Sequence, residues 1–193
     1  MKVEAPHGPV RERLGDLGAE SLGPVHQRDT YYDHPSRDFA ETDEALRLRR
    51  ESAPDDASGD DVPDADPDVD HATGTTATLT YKGPLVDGDS KTREEVESVV
   101  ADPDATDAVL RAVGFEPAAV VEKERDRYEV DGYLVSLDSV AGLGAFVEVE
   151  VKGEVDAVDA LREGAFDLCR RLGLDPDASI QTSYLGLLLD ADE

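Results

Sequence analysis

Period-two spacing gathers the charged side chains of this chain into sets that share one face of an extended strand. Arg47 and Arg49 project together in ALRLRR, Thr78, Thr80 and Lys82 in ATLTYK, Arg93, Glu95 and Glu97 in KTREEVE, and Lys123, Arg125 and Arg127 in VEKERDRY. Acidic strands follow: Ser136 and Asp138 share a face in YLVSLDSV, and Glu148, Glu150 and Lys152 share one in FVEVEVK, with Val147, Val149 and Val151 pointing the other way. Any one such strand reads as the solvated side of a sheet whose other side packs on helices. Taken together they read differently, because the chain holds 46 Asp and Glu against 19 Lys and Arg, and a surface adapted only to salt would not put its scarce bases on strand faces. Converging Lys and Arg make charge-assisted, often bidentate contacts to phosphate oxygens. Converging Glu and Asp supply the hard oxygens that Mg²⁺ or Mn²⁺ prefers. Cations on one wall and carboxylates on another, inside a closed or nearly closed sheet, suit a polyphosphate carried as its metal complex. Repulsion among so many like charges means that such a ligand would also stabilise the fold.

The elements that must position these residues are strands. Alternation marks Lys2 to Glu4, Val25 to Asp33, Ala45 to Glu51, Ala77 to Lys82, Lys91 to Val99, Ala119 to Val130, Tyr133 to Val140 and Phe146 to Lys152. Short Asp-Gly and Gly-Leu-Gly connections after Glu122 predict an antiparallel meander with helical cover. Helical patterns occupy Pro9 to Leu17, Pro103 to Val113 behind an Asp102 cap, and Val155 to Leu172 before Gly173. The single cysteine, Cys169, falls on the apolar stripe of the last of these, where packing explains it better than catalysis. Ser52 to Thr76 holds eight aspartates and three prolines, and is expected to be a disordered acidic loop of about residues 52–76 joining two strands of one domain spanning 1–193.

Composition bounds the function. A formal charge of -27 disfavours nucleic acid and anionic lipid as partners, since those polyanions are met by clustered base. Acidity of this kind suits a protein from a halophile, whose cytoplasm screens charge within about 3 Å at 1 M salt. No apolar run approaches the roughly 20 residues of a membrane span, and the amino terminus lacks a secretory leader, so a cytoplasmic protein with no membrane partner is expected.

The stretches QRDTYYDHPSRDFAETDEALRLR (Gln27 to Arg49), TYKGP (Thr80 to Pro84), KTREEVE (Lys91 to Glu97), EKERDRY (Glu122 to Tyr128), LDSVAGLGAFVEVEV (Leu137 to Val151) and TSYLGLLL (Thr182 to Leu189) resemble the CYTH superfamily. Within it they are most similar to the CyaB-type class IV adenylyl cyclases. The resemblance implies an α+β fold, an eight-stranded antiparallel closed or nearly closed barrel forming a triphosphate tunnel, with helices packed outside. It assigns phosphate binding to Lys2, Arg47, Arg49, Lys82, Arg93, Lys123 and Arg125, with Lys82, Lys123 and Arg125 catalytic, and metal binding to Asp138, Glu148 and Glu150. It implies Mg²⁺ or Mn²⁺ as cofactor and a triphosphate-containing small molecule, ATP foremost, as ligand. Asp29, Tyr31 and Tyr32 are assigned to fixing the sheet.

One departure bears on the metal. The family's signature is an ExExK strand, and this chain begins Met1-Lys2-Val3, so Lys2 stands for the signature lysine without the two glutamates before it. A start assigned at an internal methionine is the expected reason, a weakened metal site the other. His7, His26, His34 and His71 match no catalytic pattern. The activity implied is conversion of ATP to 3′,5′-cyclic AMP and pyrophosphate. The alternatives are a metal-dependent triphosphatase acting on tripolyphosphate, thiamine triphosphate or a nucleoside triphosphate, and a non-catalytic binder of polyphosphate or nucleotide.

Overall fold

In a computed structural model, described for residues 1–53, 75–87, 92–151, 153 and 158–191, the chain builds β1 (Lys2–Glu4), α1 (His7–Asp16), β2 (Glu20–Asp33), α2 (Phe39–Thr42), β3 (Ala45–Ser52), β4 (Thr76–Asp87), β5 (Thr92–Val99), α3 (Pro103–Ala112), β6 (Glu116–Val130), β7 (Tyr133–Val140), β8 (Gly144–Glu150), α4 (Val158–Arg171) and α5 (Tyr184–Ala191). The heart of the acidic loop lies outside the described residues, as do His71, Lys91 and Lys152. All eight expected strands form. β2, β3, β4 and β6 run longer than their alternating pattern, β2 beginning at Glu20 where Gly23, with φ of 82°, allows a register shift against β6. The short α2 and the C-terminal α5 carried no periodic signal long enough to be read from sequence.

The strands make one antiparallel sheet in the order β1-β8-β7-β6-β2-β3-β4-β5, curved strongly into a nearly closed barrel. The meander β6-β7-β8 turns first through Asp131-Gly132, both at positive φ as a two-residue hairpin requires, and then through the Gly142–Gly144 turn. Cross-strand partners lie on the same side of a sheet, so register defines each wall. One side joins Glu148 to Lys2 and Ser136, Asp138 to Arg125, Asp29 to Arg49, Arg47 to Thr80, and Lys82 to Glu95. That side is the charged one.

The opposite side of β1, β7 and β8 is apolar and carries the core. Val3, Val135, Leu137, Val147 and Val149 pack against Val10 and Leu14 of α1, Ala165, Leu168 and Cys169 of α4, and Leu172 just past its end. Cys169 is fully buried and unpaired in this cluster, and burial pushes its thiol up, which makes it an inert packing residue. α5 behaves differently from these helices. Tyr184, with Leu185 and Leu188 beside it, packs on Val121, Val140 and Phe146, whose strand partners place them on the charged side.

Candidate active site

The strands bring the expected residues together in two linked groups and leave two cations to one side. The first group is built on β6, β7 and β8. Asp138, with its side chain fully buried, accepts from Arg125 Nε and Nη2 at 2.6 Å each, from Lys123 Nζ at 3.2 Å and from the Tyr184 hydroxyl at 3.0 Å. The same guanidinium donates to Glu148 Oε2 at 2.5 Å and lies 3.9 Å from Glu150. Lys2 donates to the Thr182 carbonyl, and its Nζ stands 4.3 Å from the centre of the Tyr184 ring, with Lys123 Nζ at 4.9 Å. Lys2 and Lys123 therefore share one aromatic face, and Asp138 anchors Lys123 and Arg125 beside it.

The second group is built on β2, β3 and β4. Asp29, 1% exposed, receives Arg49 through two parallel bonds of 2.7 Å, with Arg47 at 3.6 Å. Arg47 also donates to the Thr80 hydroxyl at 3.2 Å. Asp29 fixes the sheet in a specific sense: it presents both arginines to the interior. Tyr31 shares that side, whereas the Tyr32 hydroxyl donates to Asp107 of α3 on the other. Beyond these groups, Lys82 pairs with Glu95 at 2.9 Å, and Arg93 is engaged by the carbonyl and carboxylate of Asp43, at 2.5 and 2.8 Å.

The two groups share one field. Burial would raise the Asp29 carboxyl, but Arg49, Arg47 and Lys123 hold it below the usual range. Glu148 is likewise disfavoured as an anion by burial, and Arg125, Lys123 and Lys2 overcome this and hold it ionised. Burial, and then repulsion from Arg125, lowers the Lys123 ammonium to about 8 despite Glu148 and Asp138. Burial and the two carboxylates raise the Tyr184 hydroxyl, so it stays protonated as a donor.

The carboxylates do not form one equivalent metal set. Asp138, expected from the sequence as a metal ligand with Glu148 and Glu150, spends both oxygens on two cations and a hydroxyl, and so anchors those cations. Among the described residues, no three His, Cys, Asp or Glu side chains group closely enough to hold a metal. Glu148 and Glu150 share one face of β8, and the Glu150 side chain is 53% exposed. A pair of carboxylates fits Mg²⁺ when phosphate oxygens and water complete its shell. Replacing Tyr184 by Phe keeps the ring under the two lysines and removes one bond to a buried carboxylate. Urea unfolding is expected to show a loss of about 1–3 kcal/mol.

Tyr184 lies in TSYLGLLL but in no periodic element, so spacing gave it no role. Asp29 was within reach of the strand pattern, because Gln27, Asp29 and Tyr31 alternate with the same parity as Arg47 and Arg49.

With this geometry in hand, the CYTH domain family matches residues 2–184. The chain belongs to the CYTH domain family. A protein of Methanocaldococcus jannaschii provisionally named an adenylate cyclase is 32% identical over 92% of this chain and 90% of its own length. The solved structure of the PH1819 protein of Pyrococcus horikoshii is 33% identical, covers 98% of this chain and 96% of its own, and superposes with a TM-score of 0.82. At 20% identity, and with a TM-score of 0.52 over 90% of this chain and 87% of its own, a Hippeastrum protein described as having dominant triphosphatase activity shares the fold.

Proposed function

We propose that this CYTH protein is a divalent-metal-dependent enzyme acting on a triphosphate, and that it converts ATP to 3′,5′-cyclic AMP and pyrophosphate. The observation that carries the triphosphate reading is the pair of carboxylate-anchored cation groups: Arg125 and Lys123 about Asp138, with Lys2 beside them over the Tyr184 ring, and Arg49 and Arg47 about Asp29. Cations held rigidly in a partly dried interior bind phosphate oxygens more strongly than mobile surface lysines do, since little side-chain freedom remains to be lost. Lys82 and Arg93 extend the basic wall toward β5.

In the cyclase reading, Glu148 and Glu150 would hold the Mg²⁺ or Mn²⁺, which supplies Lewis-acid polarisation of the phosphate when bound. Arg125 and Lys123 bind the chain and neutralise charge that builds on the leaving pyrophosphate as the ribose 3′-oxygen bonds to the α-phosphorus and the bond to the bridging oxygen breaks. Asp138 and Tyr184 keep those cations aimed. The cyclase assignment leans on the name of the M. jannaschii relative. The triphosphatase reading uses the same groups with water as nucleophile, and the Hippeastrum protein favours it on a shared fold alone. Product analysis with ATP and with tripolyphosphate, in high KCl with Mg²⁺ or Mn²⁺, separates the two. Cyclic AMP with pyrophosphate supports the cyclase, orthophosphate alone replaces it with the triphosphatase, and tight binding without turnover leaves a binder.

Lys123 gives this reading a pH signature. Below about pH 8 its ammonium is charged and available to an anion, and above that it is increasingly neutral. A bound polyanion stabilises the charged form, so binding above pH 8 takes up a proton and weakens as pH rises. Calorimetry of metal-free tripolyphosphate binding in buffers of different ionisation enthalpy should show affinity falling between about pH 8 and 10 with net proton uptake. Lys123→Arg should flatten that fall.

A further inference from the structure

β5 ends the sheet order, with β4 as its one strand neighbour among the described residues. Glu94 through Val99 are exposed without a break, yet the Arg93 side chain at the start of the strand is only 9% exposed. The ladder does not hold it there. Register between β4 and β5 shifts on both sides of the Leu85 to Arg93 pairing, from Lys82 to Leu85 and again from Leu85 to Asp87, and a bulged edge strand is free to twist away from its neighbour.

Asp43 holds it instead. Arg93 Nη1 donates to the Asp43 carbonyl at 2.5 Å and Nη2 to Asp43 Oδ2 at 2.8 Å. Asp43 is a firm point to hold from, because it sits in the left-handed conformation, φ 53°, of a turn closed by bonds from Glu44 N to the Phe39 carbonyl at 2.9 Å and from Asp43 N to the Ala40 carbonyl at 3.4 Å. The next residue fastens that turn to β4. Glu44, its side chain 3% exposed, accepts from Arg37, from the Thr42 hydroxyl and from the Tyr81 hydroxyl of β4.

Arg93 belongs electrically to the charged side. It has the parity of Glu95, which lies across from Lys82; burial would raise the Glu95 carboxyl, but Lys82, and after it Arg47 and Arg93, hold it below the usual range. A guanidinium has five N–H donors, and Asp43 takes two of them. We infer, resting on the triphosphate reading, that Asp43 is a positioning residue for phosphate binding: it clamps Arg93 of the edge strand so that the remaining donors face a phosphate oxygen. Charge alone demands the opposite sign, since a carboxylate beside an anion site repels the anion and its removal would tighten binding.

The test is calorimetry of metal-free tripolyphosphate with wild type, Asp43→Gly, Arg93→Ala and the double variant. Glycine keeps the left-handed turn without strain and removes only the carboxylate. Asp43→Gly should weaken binding about tenfold, the worth of one hydrogen bond in affinity, and in the Arg93→Ala background should change it by less than about twofold. Unchanged or tighter binding by Asp43→Gly overturns the clamp, as does an equal loss in both backgrounds, which would mean that Asp43 does not act through Arg93. Arg93→Ala binding as tightly as the wild type also overturns it, and leaves the cations about Asp138 and Asp29 standing. A wild type that binds no tripolyphosphate overturns the triphosphate reading, and the clamp with it.

Discussion

Replacing Arg125 by Ala is expected to weaken tripolyphosphate binding by about a hundredfold or more, the range found when one partner of a buried charge pair is truncated. It should also destabilise the unliganded fold by about 3–5 kcal/mol, because buried charges lose their compensation. The reason is geometric. A single guanidinium, 7% exposed, closes on Asp138 through two bonds and on Glu148 through a third. Without it, Asp138 keeps Lys123 and Tyr184, but Glu148 loses its hydrogen bond from that guanidinium, and both carboxylates stay in the interior. Arg125→Lys restores the charge without the fork and should recover part of the stability and less of the binding. Urea unfolding and calorimetry read the two effects separately. A folded Arg125→Ala variant that binds tripolyphosphate as the wild type does would remove the triphosphate assignment altogether.

The same side chain shows how far the chain could be read before it was folded. Arg125 was singled out because it alternates with Lys123 and Arg127, and period two is enough to say that all three leave the strand on one side. Parity also placed Arg47 with Arg49 and Glu148 with Glu150, and the register sets the first pair opposite Tyr31 and Asp29 of β2 and the second opposite Ser136 and Leu134 of β7. What parity cannot supply is the pairing of charges across strands. Asp138 looked equivalent to Glu148 and Glu150 as a carboxylate on an acidic strand. The direct pairing of Asp138 with Arg125 makes it an anchor for cations, and nothing along β7 alone announces this. Parity is equally silent on Arg93: it places the side chain on one side of β5, but not the bonds its guanidinium makes to Asp43, in the left-handed conformation after α2. Tyr184 was invisible for a third reason, because a short terminal helix that covers a polar wall has no amphipathic period of its own to declare which residue it turns inward.

That division among the carboxylates leads to the second large effect. Glu148→Gln removes one negative charge at nearly constant shape, from a position held ionised by Arg125, Lys123 and Lys2 against its own burial. If Glu148 and Glu150 hold the metal, the substitution forfeits several kcal/mol of charge stabilisation in the transition state, and turnover with Mg²⁺ should fall on the order of a thousandfold. Metal-free tripolyphosphate should bind at least as tightly as before, because the variant loses a repelling anion and keeps every cation. Asp138→Asn should do the reverse. Its amide cannot match the charge that holds Arg125 and Lys123, so phosphate affinity and stability should fall while affinity for Mg²⁺ in the ligand-free protein changes little. Isothermal titration of metal and of tripolyphosphate against the two variants gives four numbers and one contrast. Equal loss of Mg²⁺ affinity in both would return Asp138 to the metal site, and undiminished turnover in Glu148→Gln would mean that the metal binds elsewhere.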